Sequence, residues 1–124
     1  MLHIIGIPNC DKIKKTKNWM DSNEIEFEFI NVKKEPLTID ELADLEFKVG
    51  IDVLVNKRGT TYRTLGLKDK ELSTEEMLEV LEQNQSMIKR PILVIEDAVL
   101  VGYDEEAFKN FLKENELLDD EDVS

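Results

Sequence analysis

The sequence has very little cysteine and histidine. Of its 124 residues, one is a cysteine (Cys10) and one is a histidine (His3). A single cysteine excludes an internal disulfide framework, and one cysteine with one histidine cannot complete a conventional structural zinc site within one chain. We therefore predict that the protein binds no metal and that its one thiol stays reduced, as thiols do in the cytosol.

Long apolar runs and a secretion signal are also lacking. No stretch approaches the ~20 apolar residues of a membrane span, and the N-terminal MLHIIGIPNC has no basic region before its apolar residues. We therefore expect a cytoplasmic protein with no membrane partner. Apolar residues make up 41% of the chain, which is too much for a disordered protein and fits one globular domain of this length.

Positive charge is scarce overall but locally concentrated. The formal net charge is -12, which argues against binding to the phosphates of DNA, so no nucleic-acid partner is expected. Residues 114–124 carry six acidic side chains and no basic one, and are predicted to form a solvated acidic tail. Four lysines nevertheless follow the single cysteine: Lys12, Lys14, Lys15 and Lys17. A local anion site therefore stays compatible with the acidic composition.

Two blocks of alternating elements are predicted at the ends of the chain. Residues 2–7 and 26–32 have the pattern of strands, and the helix predicted over residues 11–22 would join them in parallel. Residues 91–102 hold two apolar runs around Glu96-Asp97, which predicts an antiparallel hairpin. Helix 11–22 is predicted to bury Ile13, Thr16 and Met20. The final helix, capped by Asp104, is predicted to bury Ala107, Phe108, Phe111 and Leu112.

A helical insertion, about residues 37–86, is predicted between these blocks. Thr38 with Glu41, and Ser73 with Glu76, have the spacing of capping boxes at helix starts. The expected apolar faces are Leu42, Leu45 and Val49 in the first helix, and Met77, Val80 or Leu81, and Asn84 in the second.

This order of elements favours an α/β thioredoxin-like fold. Its predicted form is a βαβ unit followed by ββα, with a mixed four-stranded sheet and the helical insertion between them. We predict a single domain over residues 1–113, followed by the acidic tail.

Cys10 would lie between the first strand and the first helix. The first amides of a helix lack backbone partners and carry partial positive charge, so they stabilise a thiolate and lower its pKa. Asn9 is expected to cap this helix. The lysines that follow would strengthen the effect if they face the sulfur, although lysines are mostly exposed. The alternative for Cys10 is a buried thiol that behaves as a small apolar residue.

Three motifs together resemble the ArsC/Spx family of small thioredoxin-fold proteins. They are GIPNCDKIKKTKNWM, LVNKRGTTYRTLGL at residues 54–67 and IKRPILV at residues 88–94, and the resemblance covers residues 1 to about 113. In the glutaredoxin-coupled arsenate reductases of this family, a cysteine attacks arsenate, glutathione attacks the adduct and glutaredoxin completes the reduction. The resemblance implies that Cys10 is this nucleophile, that Arg90 binds the anion and that Pro91 follows a cis peptide bond.

Two departures separate the sequence from the reductases. Asn56 stands where they carry an arginine, with Arg58 two positions later, and VGYD at residues 101–104 stands where they carry another. In this respect the chain is similar to the Spx-like and YffB-like branches. Spx usually carries a CxxC switch, whereas the matching stretch here runs from Cys10 to Ile13 with no second cysteine.

The sequence therefore supports two hypotheses. In the first, Cys10 is the nucleophile of a thiol oxidoreductase that acts on a small oxyanion or thiol substrate, with no bound cofactor, glutathione as co-substrate and glutaredoxin as partner. Arg90 and Arg58 would bind the anion, together with the first helix residues, Asp11 and Lys12; Arg58 has the alternative of hydrogen-bonding the turn around Gly59. In the second hypothesis, the chain is a non-enzymatic Spx-like regulator that binds the alpha subunit of RNA polymerase.

Overall fold

The observed elements follow the predicted order. The structure is a computed structural model that describes residues 1–118. Its strands are β1 (Leu2–Gly6), β2 (Phe27–Asn31), β3 (Ile92–Ile95) and β4 (Ala98–Val101). Its helices are α1 (Asp11–Ser22), α2 (Ile39–Val49), α3 (Ile51–Leu54), α4 (Thr60–Thr64), α5 (Thr74–Gln83) and α6 (Glu105–Glu114). Two short 3₁₀ turns cover Leu67–Asp69 and Gln85–Met87.

The four strands form one mixed sheet in the order β2-β1-β3-β4. β3 runs antiparallel to both of its neighbours, and its register places Ile92 opposite Ile5 of β1 and opposite Val101 of β4. The predicted hairpin is confirmed, with Ile95 paired to Ala98 across the turn at Glu96 and Asp97. The predicted α/β thioredoxin-like class is therefore confirmed.

The sheet, apart from Asn31 at the end of β2, forms with α1 and α6 one of two compact units into which the chain divides. Among the described residues, this unit holds residues 1–30 and 90–118. Ile13, Thr16 and Met20 of α1 are buried as predicted, and the Asp104 carboxylate caps α6 by accepting hydrogen bonds from the amides of Glu106 and Ala107. Its buried cluster contains Leu2, Ile4, Ile13, Met20, Ile25, Leu93, Ile95, Phe108, Phe111, Leu112 and Leu118.

The C-terminal boundary differs from the prediction. Helix α6 extends to Glu114, and Leu118 is buried in the cluster just described. The predicted solvated tail is therefore wrong for Leu117 and Leu118, which pack on this cluster, whereas the acidic Glu114 and Glu116 are exposed. The rest of the predicted tail, residues 119–124, lies outside the described residues.

The second unit, Asn31–Lys89, contains the predicted helical insertion. Both capping boxes are confirmed: in each, the hydroxyl of the first residue accepts from the fourth residue's amide, and the glutamate accepts from the first residue's amide. Leu42 and Leu45 of α2 are buried as predicted. In α5, Leu78 and Leu81 are the buried residues, whereas Met77 and Val80 are only half-buried. The prediction is confirmed for Leu81 and wrong for Met77, because the packing of α5 against α2 selects the buried face and the sequence does not show that contact.

Within residues 1–118, none of the helices is both long enough and apolar enough to cross a membrane.

Candidate active site

Cys10 lies at the start of α1, in the loop that follows β1. It is the residue that precedes the helix, with extended backbone angles (φ -103°, ψ 130°), and its carbonyl accepts a hydrogen bond from the amide of Lys14 at 3.0 Å. Its side chain is half-buried and packs against the buried cluster of the first unit. Cys10 is thus neither fully buried nor free of contact with the core.

Gly6 sets the close approach of α1 to the end of β1. A Cβ atom added at this buried position would lie 2.2 Å from Cδ1 of Ile13 and 2.8 Å from its Cγ1. Because neither distance allows a side chain, only glycine permits this packing. The contact fixes Ile13 against the strand, and with it the first turn of the helix that begins beside Cys10.

The surroundings of Cys10 favour its thiolate. Burial of the thiol raises its pKa, but the backbone amides of Ile13 and Lys12 and the guanidinium of Arg90 together outweigh this effect. The pKa of Cys10 therefore lies below its ordinary value. The Cys10 side chain makes no capping hydrogen bond to α1. The amides of Ile13 and Lys12 therefore lower the pKa by stabilising the thiolate form of the sulfur.

Arg90 comes to this sulfur from the start of the hairpin. The Arg90–Pro91 peptide bond is cis, as the resemblance implies, and Pro91 is buried directly before β3. The Pro91 carbonyl accepts a hydrogen bond of 2.8 Å from the amide of Gly102, which follows β4. This hydrogen bond anchors the Arg90–Pro91 segment at the open end of the hairpin. From there the half-buried Arg90 reaches the Cys10 thiolate with its guanidinium.

These features can be compared with known proteins, and residues 5–111 match the ArsC family. The chain belongs to the ArsC family. Its sequence is 29% identical to the global transcriptional regulator Spx of Enterococcus faecalis, over 90% of this chain and 86% of that protein. The YFFB protein has a similar solved structure, with a TM-score of 0.85 and 28% identity over 90% of this chain and 99% of that one. An arsenate reductase related protein of Brucella melitensis gives a TM-score of 0.72 and 30% identity, over 90% of this chain and 94% of the other.

The side-chain charges of the lysines in this ArsC-family chain are not among the causes of the pKa shift at Cys10. Lys12, Lys14 and Lys15 are exposed, and their charges are not among the causes that lower the pKa of the thiol. Lys17 instead places its ammonium over the ring of Phe29, 3.8 Å from the ring centre. The interpretation that these lysines lie on the solvated face therefore fits the structure better than a direct action on the sulfur.

Among the other predicted residues, the role of Asn9 needs correction. Helix α1 begins at Asp11 with Cys10 in the capping position, so Asn9 lies one residue too early to cap it. Asp11 is exposed, and it is the acidic residue of the first turn of α1. The roles of Asp11 and Lys12 in anion binding stay predictions.

Arg58 belongs to the second unit and is described within it. Its backbone amide donates a hydrogen bond of 3.3 Å to the side-chain oxygen of Asn56, and the amide of Gly59 donates to the Asn56 carbonyl. Asn56 therefore organises the turn that carries Arg58. The Arg58 side chain is exposed, and a role for it in anion binding stays a prediction.

Sequence reasoning missed one interaction of the first unit. The hydroxyl of Tyr103 donates a hydrogen bond to the carboxylate of Glu105, and the Tyr103 ring packs edge-on against Phe108. The available signal was the VGYD segment, which was interpreted only as lacking an arginine.

Within residues 1–118, no group of three or more histidine, cysteine or acidic residues is placed to hold a metal ion.

Proposed function

We propose that this ArsC-family protein is a thiol oxidoreductase in which the Cys10 thiolate attacks a disulfide sulfur or an oxyanion. Glutathione is the co-substrate that resolves the resulting adduct, and glutaredoxin is the partner that completes the reduction. The observation that carries the proposal is the lowered pKa of Cys10 at a helix start, with the Arg90 guanidinium beside it. A thiolate is the nucleophilic form of cysteine, so a lowered pKa supplies the nucleophile at neutral pH.

Disulfide exchange uses this arrangement directly. The Cys10 thiolate attacks one sulfur of a disulfide, a mixed disulfide forms, and the other half leaves as a thiolate. No second cysteine exists in the chain to displace the bound half. A glutathione thiolate therefore attacks its sulfur, which releases Cys10 as a thiolate and yields a disulfide of glutathione and the substrate.

The decisive experiment is the reaction of the folded protein with oxidised glutathione. We expect the intact mass to rise by one glutathionyl group, and reduced glutathione with glutaredoxin to return it to the starting value. Cys10→Ser serves as the control that cannot be labelled. Labelling that occurs only after unfolding would support the buried-thiol alternative and contradict the proposal.

A second candidate function rests on the relative that is named a global transcriptional regulator. The exposed side of α5 favours binding to a basic protein, because Glu75, Glu76, Glu79 and Glu82 are exposed on a helix without a basic residue. The partner expected under this function is the alpha subunit of RNA polymerase. Binding of the purified alpha subunit that survives Cys10→Ser, together with an absence of thiol exchange in the wild type, would favour the regulator over the enzyme.

A further inference from the structure

Strand β4 lies at an edge of the sheet. In the order β2-β1-β3-β4 it has β3 on one side, and none of the strands within residues 1–118 pairs with it on the other. Ile95 pairs with Ala98 across the two-residue turn, and the Gly102 amide donates to the Pro91 carbonyl at 2.8 Å. Residues of an antiparallel pair alternate between hydrogen-bonded and non-hydrogen-bonded positions, and Ala98 and Gly102 both mark the bonded ones.

This alternation determines which backbone groups of β4 face outward. Ala98, Leu100 and Gly102 turn their backbone groups toward the preceding strand, so Val99 and Val101, which alternate with them, turn theirs away from it. Each of the two valines thus presents an N–H donor and a C=O acceptor along the open side of β4. Such a row is a template for the addition of one more strand.

The composition of β4 leaves this edge unprotected. The strand reads AVLV, and all of its residues are partly exposed. It contains no charged residue and no proline, which are the side chains that discourage pairing at edge strands. The other edge strand, β2, carries the exposed Glu28 at its middle. Of the two edges, β4 is therefore the one open to pairing.

Acidic side chains lie at both ends of this apolar strand. Glu96 and Asp97 are exposed in the turn before it, and Glu106 is exposed in the first turn of α6 after it. The segment 92–108 carries five acidic residues and no basic one. We propose that β4 binds an extended segment of a partner protein, which adds a strand to the sheet and carries lysine or arginine on both sides of a β-branched centre. This surface goes beyond the proposed function, because it does not involve the thiol of Cys10.

Charge is the reason for choosing a basic peptide as the occupant instead of a second copy of this chain. Two β4 strands paired with each other, in either direction, would bring acidic ends together, and each chain has a formal net charge of -12. Basic residues at the ends of a partner strand would instead meet these acids with opposite charge. Because β4 has only four residues, we expect the complex to be weak and transient.

The probe is a short peptide of alternating valine and threonine residues with lysines at each end, blocked at both termini. At saturation we expect it to slow hydrogen exchange of the Val99 and Val101 amides by at least about ten-fold, because both become donors to the added strand. The Leu100 amide faces β3 in the free protein and is the internal control, so its rate should change much less. Exchange followed by NMR resolves the three amides.

Two further comparisons test the backbone pairing and the charge separately. N-methylation of alternate peptide residues removes the donors on one side of the strand only. Of the two complementary methylated peptides, one should therefore bind like the parent and the other at least roughly ten-fold more weakly. Glu96→Gln with Asp97→Asn should weaken binding by roughly three- to ten-fold at low salt. Glu75→Gln with Glu79→Gln removes the same charge from exposed positions of α5 and should have little effect.

Each remaining outcome would overturn the proposal. It fails if the peptide does not bind, if exchange at Val99 and Val101 is unchanged in the complex, or if the two methylated peptides bind equally. Equal weakening by the two pairs of substitutions would show that net charge alone explains the binding. Protection of both valines that rises with protein concentration in the absence of peptide would identify a second copy as the occupant. A failure here leaves the proposed function standing, since thiol exchange at Cys10 is measured independently.

Discussion

The guanidinium of Arg90 stabilises the thiolate of Cys10 through both a hydrogen bond and its charge. The two residues are far apart in the sequence, and the order β2-β1-β3-β4 is what joins them, because it makes β1 and β3 neighbours in the sheet. Cys10 follows β1, whereas Arg90 and the cis Pro91 precede β3, and these two strands run antiparallel. The end of β1 and the start of β3 therefore lie at the same end of the sheet, where Cys10 and Arg90 meet.

The first prediction concerns the pKa of Cys10. Arg90→Ala should raise it, because the variant loses a hydrogen bond and a positive charge that both favour the thiolate. With a higher pKa, less thiolate is present at neutral pH, so the midpoint of the alkylation rate against pH should move upward. Iodoacetamide, a neutral reagent, measures this profile. Lys14→Ala is the control and should leave the midpoint in place; an unmoved midpoint in Arg90→Ala would contradict the assigned contact.

The second prediction concerns the packing of α1 on β1. Gly6→Ala should destabilise the protein by roughly 1 to 3 kcal/mol, since the new methyl group would overlap Ile13 in the core. Ile13→Val removes the atom that lies 2.2 Å away, so the double variant should recover part of the loss. Urea unfolding measures both effects. Strictly additive losses in the double variant would show that the two positions do not compete for space.

Much of this fold is readable from local patterns. The stripe of Ile13, Thr16 and Met20 and the capping boxes at Thr38 and Ser73 depend on near neighbours in the chain, and the structure has them as predicted. The buried face of α5 depends on its contact with α2, and there the pattern chose Met77 where Leu78 is buried. Local spacing cannot decide between adjacent faces of a helix that has apolar residues on both.

The candidate site, like the fold, could be predicted from the sequence only in part. Its nucleophile was identifiable because a lone cysteine before a helix has a recognisable position, and the approach of Arg90 followed from a family resemblance. The Tyr103–Glu105 hydrogen bond was missed, since it depends on the backbone conformation of the short segment between β4 and α6, which the sequence pattern does not fix. The contribution of the lysines was open in the sequence because helical spacing does not fix the direction of a long side chain.

The third prediction concerns the hairpin turn, where Glu96 has a positive φ of 53°. A side chain in this left-handed region costs about 1 to 2 kcal/mol, which exceeds the entropic cost of glycine. Glu96→Gly should therefore stabilise the protein by roughly 0.5 to 1 kcal/mol, measured by urea unfolding. Asp97→Gly, at the other turn residue, is the control and should be neutral or destabilising. A loss of stability in Glu96→Gly would mean that the glutamate side chain contributes more than its backbone conformation costs.

The fourth prediction concerns the anion site, and sulfate is its probe. If Arg90 and the first amides of α1 hold the anion, sulfate should slow alkylation of Cys10 competitively. Arg90→Ala should weaken this protection by more than about ten-fold, because the loss of a charge-assisted contact costs roughly 1.5 to 3 kcal/mol. Arg58→Ala should have a smaller effect. Protection that is unchanged in Arg90→Ala would show that the helix start alone holds the anion.

The last prediction concerns arsenate reduction at the same site. The arsenate reductases that the sequence resembles carry arginines at two positions where this chain has Asn56 and the VGYD segment, which supplies Tyr103 instead. One guanidinium beside Cys10 neutralises only part of the charge of a multiply charged oxyanion, so the anion should bind weakly even in the wild type. We therefore expect slow or undetectable arsenate turnover with glutathione and glutaredoxin, while disulfide exchange at Cys10 persists in the same preparation. Fast arsenate turnover at low substrate concentration would contradict this expectation, because it would require a source of positive charge that the helix amides and Arg90 do not supply.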